Sequence, residues 1–505
     1  MTLKQWIRKH PGRAALRALW VVVNFAFGAA SGGFLAWGPL GAGWPAMAGL
    51  GLLGGLVVGG VWARQQVAAA LGRTDVARRR RRRLLLATAA IFVGIAAPAA
   101  IQFYRLGAFP PVGQDYAANF DHLFQAMDRY YAYFELKEVD WASLTAAYRP
   151  RVLEAETDED YYDVVAEMLV ELDDAHTGLV EPYPPGGVFA FTEKIEGEAV
   201  VTWSSLAGEA VGLTRGAVIQ SVGGMTVEER IAYLEELDPR IVSGSTSRQR
   251  EARGYLNLLR IPADEPVEVS FEAPDGEERM AILSWDDAPE NPYANLERTV
   301  TGERLASGVG VIRIPTFDRG AEGDPVADFD GALDGMMDAP GLIIDLRGNG
   351  GGASFVAEPI AGRLVTETVV YAHERYRARL PRFGWRIERT ATIRPRGETY
   401  TGPVVILIDT LNMSTAETFA LSLADTGRAQ TVGRTTAGAT GNPTPFRLVG
   451  GGRARYSLGT LTRLDGTLLE GNGVVPDVAV EWTIEDVRQD RDPDVETAEG
   501  LILER

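Results

Sequence analysis

Two short apolar runs in the last third of the chain end in residues that could do chemistry. Gly341-Leu-Ile-Ile-Asp345 runs on into Leu346-Arg-Gly-Asn-Gly-Gly-Gly352, and Val404-Val-Ile-Leu-Ile-Asp409 is followed by Ser414-Thr-Ala-Glu417. Each reads as a strand turning into a helix. A glycine run at such a turn lets backbone N–H groups point into a site, and a serine oxygen at a helix start is exposed and favoured by the helix dipole when anionic. That combination suits nucleophilic attack with stabilisation of an oxyanion. The same Ser414-x-x-Glu417, ahead of Phe419, Ala420 and Leu421, is also a capping box that needs no catalysis. Taken alone, the segment favours the cap, because caps are common.

Other chemistries are limited by scarcity. Cysteine is absent, which excludes disulfides, thiolate metal sites and a cysteine nucleophile. The four histidines, His10, His122, His176 and His373, are far apart in sequence, so zinc is not expected. The four lysines are Lys4, Lys9, Lys137 and Lys194, and no Lys-Ser/Thr pair follows the glycine run, so it is not a Walker loop. The sequence implies no cofactor and no metal. Beside Asp173 and Asp174, His176 reads on its own as a histidine paired with carboxylates. His122, beside Asp121, and His373, in a charged strand-like stretch, read as exposed.

The elements that must position these residues sit in a chain of 505 residues with 57 glycines and 46% hydrophobic residues, enough for several packed units. Residues 1–104 hold 13 Lys and Arg against one acid, Asp75, giving +12, and the remainder is at −30. That acidic balance excludes nucleic acid as its partner. Residues 18–63 carry no charge and break at Gly38-Pro-Leu-Gly-Ala-Gly-Trp-Pro45, and 84–104 are uncharged after Arg78–Arg83. The pattern predicts a transmembrane hairpin over 18–63 and a third span over 84–104, the latter also resembling a signal peptide. Basic residues at 1–17 and 64–83 place those segments in the cytoplasm. The expected partner is a lipid bilayer, and the expected location an inner membrane with the catalytic part facing the periplasm or exterior.

Beyond the spans, residues 116–194 read as a helical subdomain, with Phe120, Leu123, Met127 and Tyr130 at helical spacing. Residues 195–287 read as a small β-rich module with turns at Gly223-Gly224 and Asp275-Gly276. Residues 303–485 alternate buried strands with helices as an α/β domain. An acidic tail, 486–505, ends in a short helix near 494–503.

Taken together, the motifs carry a resemblance. The order Asp345-Leu-Arg-Gly-Asn-Gly-Gly-Gly352, Ser414-Thr-Ala-Glu417 and Glu470-Gly-Asn-Gly-Val-Val-Pro-Asp477 resembles the C-terminal processing, or tail-specific, serine peptidases. Tyr131-Ala-Tyr-Phe-Glu135, Val139-Asp-Trp141 and Asp173-Asp-Ala-His-Thr-Gly178 resemble the branch related to the tricorn protease core, and 195–287 is similar to a PDZ domain. The lysine that activates the serine in the processing branch is Ala439 here, and Asp425 matches an acid of that branch. The tricorn-like branch implies Ser414 as nucleophile, His176 as base and Glu470 as its orienter, although Ala175 stands where that branch has a serine. The resemblance also implies an oxyanion hole from the backbone N–H of Gly350 or Gly351 and of Thr415. The expected function is a membrane-anchored serine endopeptidase acting on unfolded or extended polypeptides. The alternatives are a catalytically inactive relative binding a peptide or apolar ligand in the same cleft, and a PDZ-based membrane scaffold.

Overall fold

The computed structural model describes residues 115–182, 187–261, 266–285, 299–318, 323–377 and 387–504. Three helices come first: α1 (Tyr116–Tyr130), α2 (Trp141–Glu154) and α3 (Asp158–Val170). Asp115 caps α1 by accepting the Ala118 N–H at 2.7 Å, and Thr157 with Asp160 forms a capping box on α3. Phe120, Leu123, Met127 and Tyr130 form the buried face of α1.

Strand β1 (Gly178–Glu181) follows. The expected helical stretch to residue 194 therefore ends early, because β1 pairs with a strand 275 residues further on, which no local pattern reveals.

The module is built from β2 (Gly187–Val188), β3 (Ala190–Ile195), β4 (Glu198–Ser204), α4 (Leu206–Ala210), β5 (Val218–Val222), α5 (Val227–Leu237), α6 (Ser247–Leu256), β6 (Arg260–Ile261), β7 (Val267–Glu272) and β8 (Glu278–Leu283). Its antiparallel sheet runs β3-β4-β5-β7-β8. Val201, Ile219, Val269 and Phe271 of the sheet pack with Tyr255, Leu258 and Leu259 in its own core.

The α/β part comprises β9 (Thr301–Arg304), β10 (Gly310–Arg313), α7 (Pro325–Asp334), β11 (Leu342–Asp345), α8 (Ser354–Ala361), β12 (Val369–Tyr376), β13 (Ile387–Ile393), β14 (Val404–Ile408), α9 (Thr415–Ala424), β15 (Gln430–Gly433), β16 (Pro443–Arg447), β17 (Arg453–Ser457), β18 (Gly459–Arg463) and β19 (Val478–Ala479). Its main sheet runs β19-β15-β14-β11-β10-β9 and is parallel except at the β9 edge. Ile312, Ile344 and Ile406 face one core with Phe419, while Val311, Ile343, Val405 and Leu407 face a second one. The uninterrupted apolar runs are thus strands buried on both faces.

Helices α10 (Ile484–Arg488) and α11 (Pro493–Leu503) close the chain. Residues 486–505 are not a free acidic tail: Ala498 and Ile502 of α11 cover the second core. Asp494 is fully buried between Arg347 (3.0 Å) and Arg434 (2.6 Å), and Arg347 also holds Asp345 and Asp492. Apolar docking and matched charge turn an acidic segment into a structural clamp.

The expected three transmembrane helices find no support in this fold. Among the described residues no helix is long and apolar enough to cross a membrane. The longest, α1, has 15 residues, about 22 Å at 1.5 Å per residue against a hydrocarbon core of about 30 Å. The stretches 18–63 and 84–104 lie outside the described residues. The fold class stated for this protein is an α/β domain with a helical subdomain and a small β-rich module.

Breaking a buried charge cluster by removing one partner leaves the others unpaired. Asp494→Ala is therefore expected to lower the unfolding free energy by about 3 kcal/mol in urea titrations. A change under about 1 kcal/mol would show the clamp to be dispensable.

Candidate active site

Parallel pairing sets Ile344 opposite Ile406 and Asp345 opposite Leu407, so the loops after β11 and β14 leave the same edge side by side. That edge is where open α/β sheets carry their sites. Asn412 joins the two loops: its side-chain amide donates to the carbonyls of Leu346 and, at 3.2 Å, Asn349, and its Oδ1 accepts the Asp409 N–H at 2.8 Å.

Ser414 stands at the head of α9 with φ 58° and ψ −124°. An ordinary N-cap is extended, whereas a non-glycine residue with positive φ is strained and needs support. Glu417 does close a capping box onto the Ser414 N–H at 3.2 Å, yet the cap alone does not require that backbone. The geometry is that of a sharp strand-to-helix elbow, which lifts a side-chain oxygen clear of its helix.

Glu417 is fully buried and gathers further donors: Thr436 Oγ1 at 2.5 Å, Gly438 N–H at 2.8 Å and Ala439 N–H at 2.9 Å. Burial pushes its carboxyl up to about 7, against the pull of Thr436 and the backbone donors. Ala439, where the processing branch has its lysine, is buried and gives its carbonyl to the Ser414 N–H at 2.8 Å.

The glycine loop lies directly on the elbow. Gly351 has φ 99°, and a Cβ there would stand 2.8 Å from Ser414 Cβ and 2.8 Å from the Met413 carbonyl. Its N–H donates to Asn349 Oδ1 at 2.8 Å. This corrects one expectation: Gly351 makes the close approach but its N–H is already engaged. Among the described residues the Gly350 and Thr415 N–H groups donate to no backbone acceptor, which leaves them as the candidate pair. Thr415 Oγ1 ties the elbow to the Gly352 carbonyl at 2.6 Å.

His176 reaches this region because β1 pairs with β17. It is 3% exposed and packs beside Gly441 and Ser457. Burial first, then Arg455, pushes its imidazole down to about 4, with Asp174 opposing. Its backbone N–H donates to Asp174 Oδ1 at 2.9 Å, and its Nδ1 is buried with no hydrogen-bond partner among the described residues. Segment 439–441 therefore collects all three expected residues: Ala439 touches Ser414, Gly441 abuts His176, and the Thr440 N–H donates to Glu470 Oε2 at 2.7 Å.

The expected relay is not formed as such. Glu470 is fully buried but makes no hydrogen bond to His176; its other oxygen is 3.0 Å from Lys137 Nζ. Burial and then Asp174 push its carboxyl up to about 8, with Lys137 and the Thr440 N–H pulling the other way. Position 175, lacking a hydroxyl, gives only its backbone: the N–H to Ser245 Oγ at 3.0 Å and the carbonyl to Arg455 at 3.0 Å.

Among the rivals, His373 is exposed on β12, whereas His122 is partly buried with its ring 5.2 Å from Phe446, because its helix face turns inward. Asp425 pairs with Arg463 at 3.4 Å. Among the described residues no group of His, Asp or Glu side chains could hold a metal ion.

Sequence reasoning missed Tyr133, Lys137, Asn349, Asn412 and Thr436 as parts of the site. Tyr133 Oη donates toward the Thr440 carbonyl at 2.9 Å, and only its place in Tyr131-Ala-Tyr-Phe-Glu135 hinted at this. The module also docks here through the start of α6: Thr246 Oγ1 donates to the Ala437 carbonyl at 2.8 Å, and Arg248 to the carbonyls of Thr436 and Asn472, both at 2.7 Å.

A strained serine elbow beside a glycine loop at the strand ends is the build of a serine-type peptidase, and comparison with known proteins gives the same class. Residues 308–480 match Peptidase family S41 and residues 113–170 match the Tricorn protease C1 domain. These matches support the resemblance to the C-terminal processing serine peptidases of family S41 and to tricorn. It is 23% identical to the tricorn protease of Thermoplasma acidophilum over 75% of this chain and 34% of that protein. It is 24% identical to the carboxyl-terminal-processing protease of Picosynechococcus sp. over 56% of this chain and 64% of that one. The chain thus spans less than two thirds of both relatives. In fold it is similar to mature CPAF, at a TM-score of 0.60 and 15% identity, over 77% of this chain and 96% of that one.

Gly351→Ala is expected to cut peptidase activity by about 100-fold or more while the protein stays folded, since the new methyl displaces the serine elbow. Near-normal turnover with an unchanged melting curve would show that the loop can move aside.

The depressed imidazole sets a second test. A group kept neutral by the fold stabilises above its ordinary value of 6.5 and loses that contribution as pH falls toward about 4. The stability advantage of wild type over His176→Asn should shrink by about 3 kcal/mol between pH 7 and pH 4. A constant difference across that range would place His176 in water-like surroundings.

Proposed function

We propose that this chain is a serine endopeptidase that cleaves extended or unfolded polypeptides. Ser414 attacks the scissile carbonyl, His176 takes its proton and returns it to the leaving amine, and the Gly350 and Thr415 N–H groups hold the oxyanion. The observation that carries this reading is Ser414 at positive φ with Gly351 pressed against its Cβ, a strained arrangement that capping does not explain. Burial keeps the imidazole neutral near pH 7, the form in which it has a nitrogen free to accept a proton. Glu470 supports the assembly through Thr440 rather than by contact with the imidazole.

The module resembles a PDZ domain and would take a substrate's C-terminal segment as an added strand. Its docking beside Thr436, Ala437 and Asn472 supports delivery of an extended chain to the cleft. A second reading, a non-catalytic peptide binder, is favoured by one observation: among the described residues the His176 Nδ1 has no hydrogen-bond partner to orient it.

The test is cleavage of an unfolded polypeptide, with fluorophosphonate labelling in parallel. Ser414→Ala and His176→Ala should each lose about 10³-fold or more in kcat/KM, and the double variant little beyond either. Undiminished cleavage by Ser414→Ala would end the serine reading. Failure of the wild type both to cleave and to label, with the unfolded polypeptide still bound, would point to the binder.

A further inference from the structure

Lys137 is one of two lysines among the described residues; the other, Lys194, lies in an exposed pair with Glu251. The Lys137 side chain is 10% exposed, and three oxygens surround its ammonium: Glu470 Oε1 at 3.0 Å, the Asp173 carbonyl at 2.5 Å and the Ser245 carbonyl at 3.2 Å. Two of its three N–H donors go to the carbonyls, and Glu470 Oε1 faces it as an ion-pair partner at 3.0 Å rather than as a hydrogen-bond acceptor.

The three oxygens come from three parts of the chain. Asp173 is in the turn three residues before His176, Ser245 is in the module just ahead of α6, and Glu470 is in the loop after β18. From Glu470 the chain of contacts continues through the Thr440 N–H to Ala439, whose carbonyl accepts the Ser414 N–H. No contact joins Lys137 to Ser414.

We propose that Lys137 is the positioning cation of the catalytic site: its ammonium locks the histidine-bearing turn, the Glu470 loop and the module into one arrangement around segment 439–441, which borders both His176 and Ser414. The proposal rests on the catalytic reading above. It accounts for two observations that reading leaves over, a buried carboxylate that does not touch the histidine and a lysine-free position 439.

A neutral residue at 137 would leave the buried Glu470 facing Asp174, Tyr131 and Tyr133 with no cation. All three already weigh on one another, since burial first and then Asp174 or Glu470 raise both tyrosine hydroxyls well above the ordinary range. Loss of one partner of a desolvated charge pair costs far more than loss of a surface contact.

The absence of native cysteine permits a direct test on the full chain. Lys137→Cys supplies a single thiol, which is alkylated in denaturant and refolded beside wild type treated in the same way. Bromoethylamine restores an ammonium of nearly lysine length, and iodoacetamide gives a neutral side chain of similar size. We expect Lys137→Cys to lose about 100-fold in kcat, aminoethylation to recover it to within about threefold of wild type, and carbamidomethylation to leave it low.

In the neutral forms, the rise of kcat with pH should also move to higher pH, as Glu470 holds its proton more tightly; aminoethylation should restore the wild-type profile. Equal recovery with both reagents, no recovery with either, or no loss in Lys137→Cys each overturns the proposal. Ser414→Ala runs alongside: activity that survives it sinks the catalytic reading, whereas Ser414-dependent activity indifferent to the ammonium sinks only the role of Lys137.

Discussion

The arrangement of the site depends on one buried carboxylate. Glu417 accepts from Ser414, Gly438, Ala439 and Thr436 at once, and these contacts fix a strained serine, the start of α9 and the loop after β15 relative to one another. A buried charge is tolerable only when its acceptor sites are filled, and every donor here is supplied by backbone or a hydroxyl that has few alternatives. The strain at Ser414 persists because its surroundings over-determine it.

Around that hub the fold brings in two further supports. The glycine loop comes from β11, the parallel neighbour of β14, and is held by Arg347 within the Asp345, Asp492 and Asp494 cluster. The histidine comes from far earlier in the chain, in the turn just before β1, and is held by the pairing of β1 with β17. Segment 439–441 is where these supports converge, with its peptide groups shared among Ser414, Glu417, Glu470 and Tyr133. Dense sharing of backbone groups leaves little freedom for any one catalytic atom to drift, and precision of that order is what acyl transfer demands.

The module is part of the same construction. Thr246 and Arg248 reach carbonyls in the loops that Glu417 and Glu470 organise, and Gln249 lies 3.9 Å from the Met413 sulfur, next to the serine. Polar contacts of this kind hold a small domain firmly only while their geometry is kept, so its placement and the order of the catalytic loops are coupled.

Several features could be read from sequence because their causes are local. Apolar runs of four or five residues gave β10, β11 and β14; glycine after an apolar run gave the loop at 348–352; and Ser-x-x-Glu gave the start of α9. The candidates Ser414, His176 and Glu470 followed from the family resemblance that the ordered motifs carry, whereas residue types alone favoured a cap at 414 and a paired histidine at 176. What tertiary structure alone decided is which atoms meet. The N–H of Gly351 is consumed by Asn349, Glu470 turns to Lys137 rather than to His176, and an acidic C-terminal stretch docks as a clamp. The last two rest on partners more than a hundred residues apart, brought together by strand pairing and by the need of buried polar groups to be satisfied, neither of which leaves a periodicity in the chain; the first joins residues two apart, in a turn whose geometry the residue types do not specify.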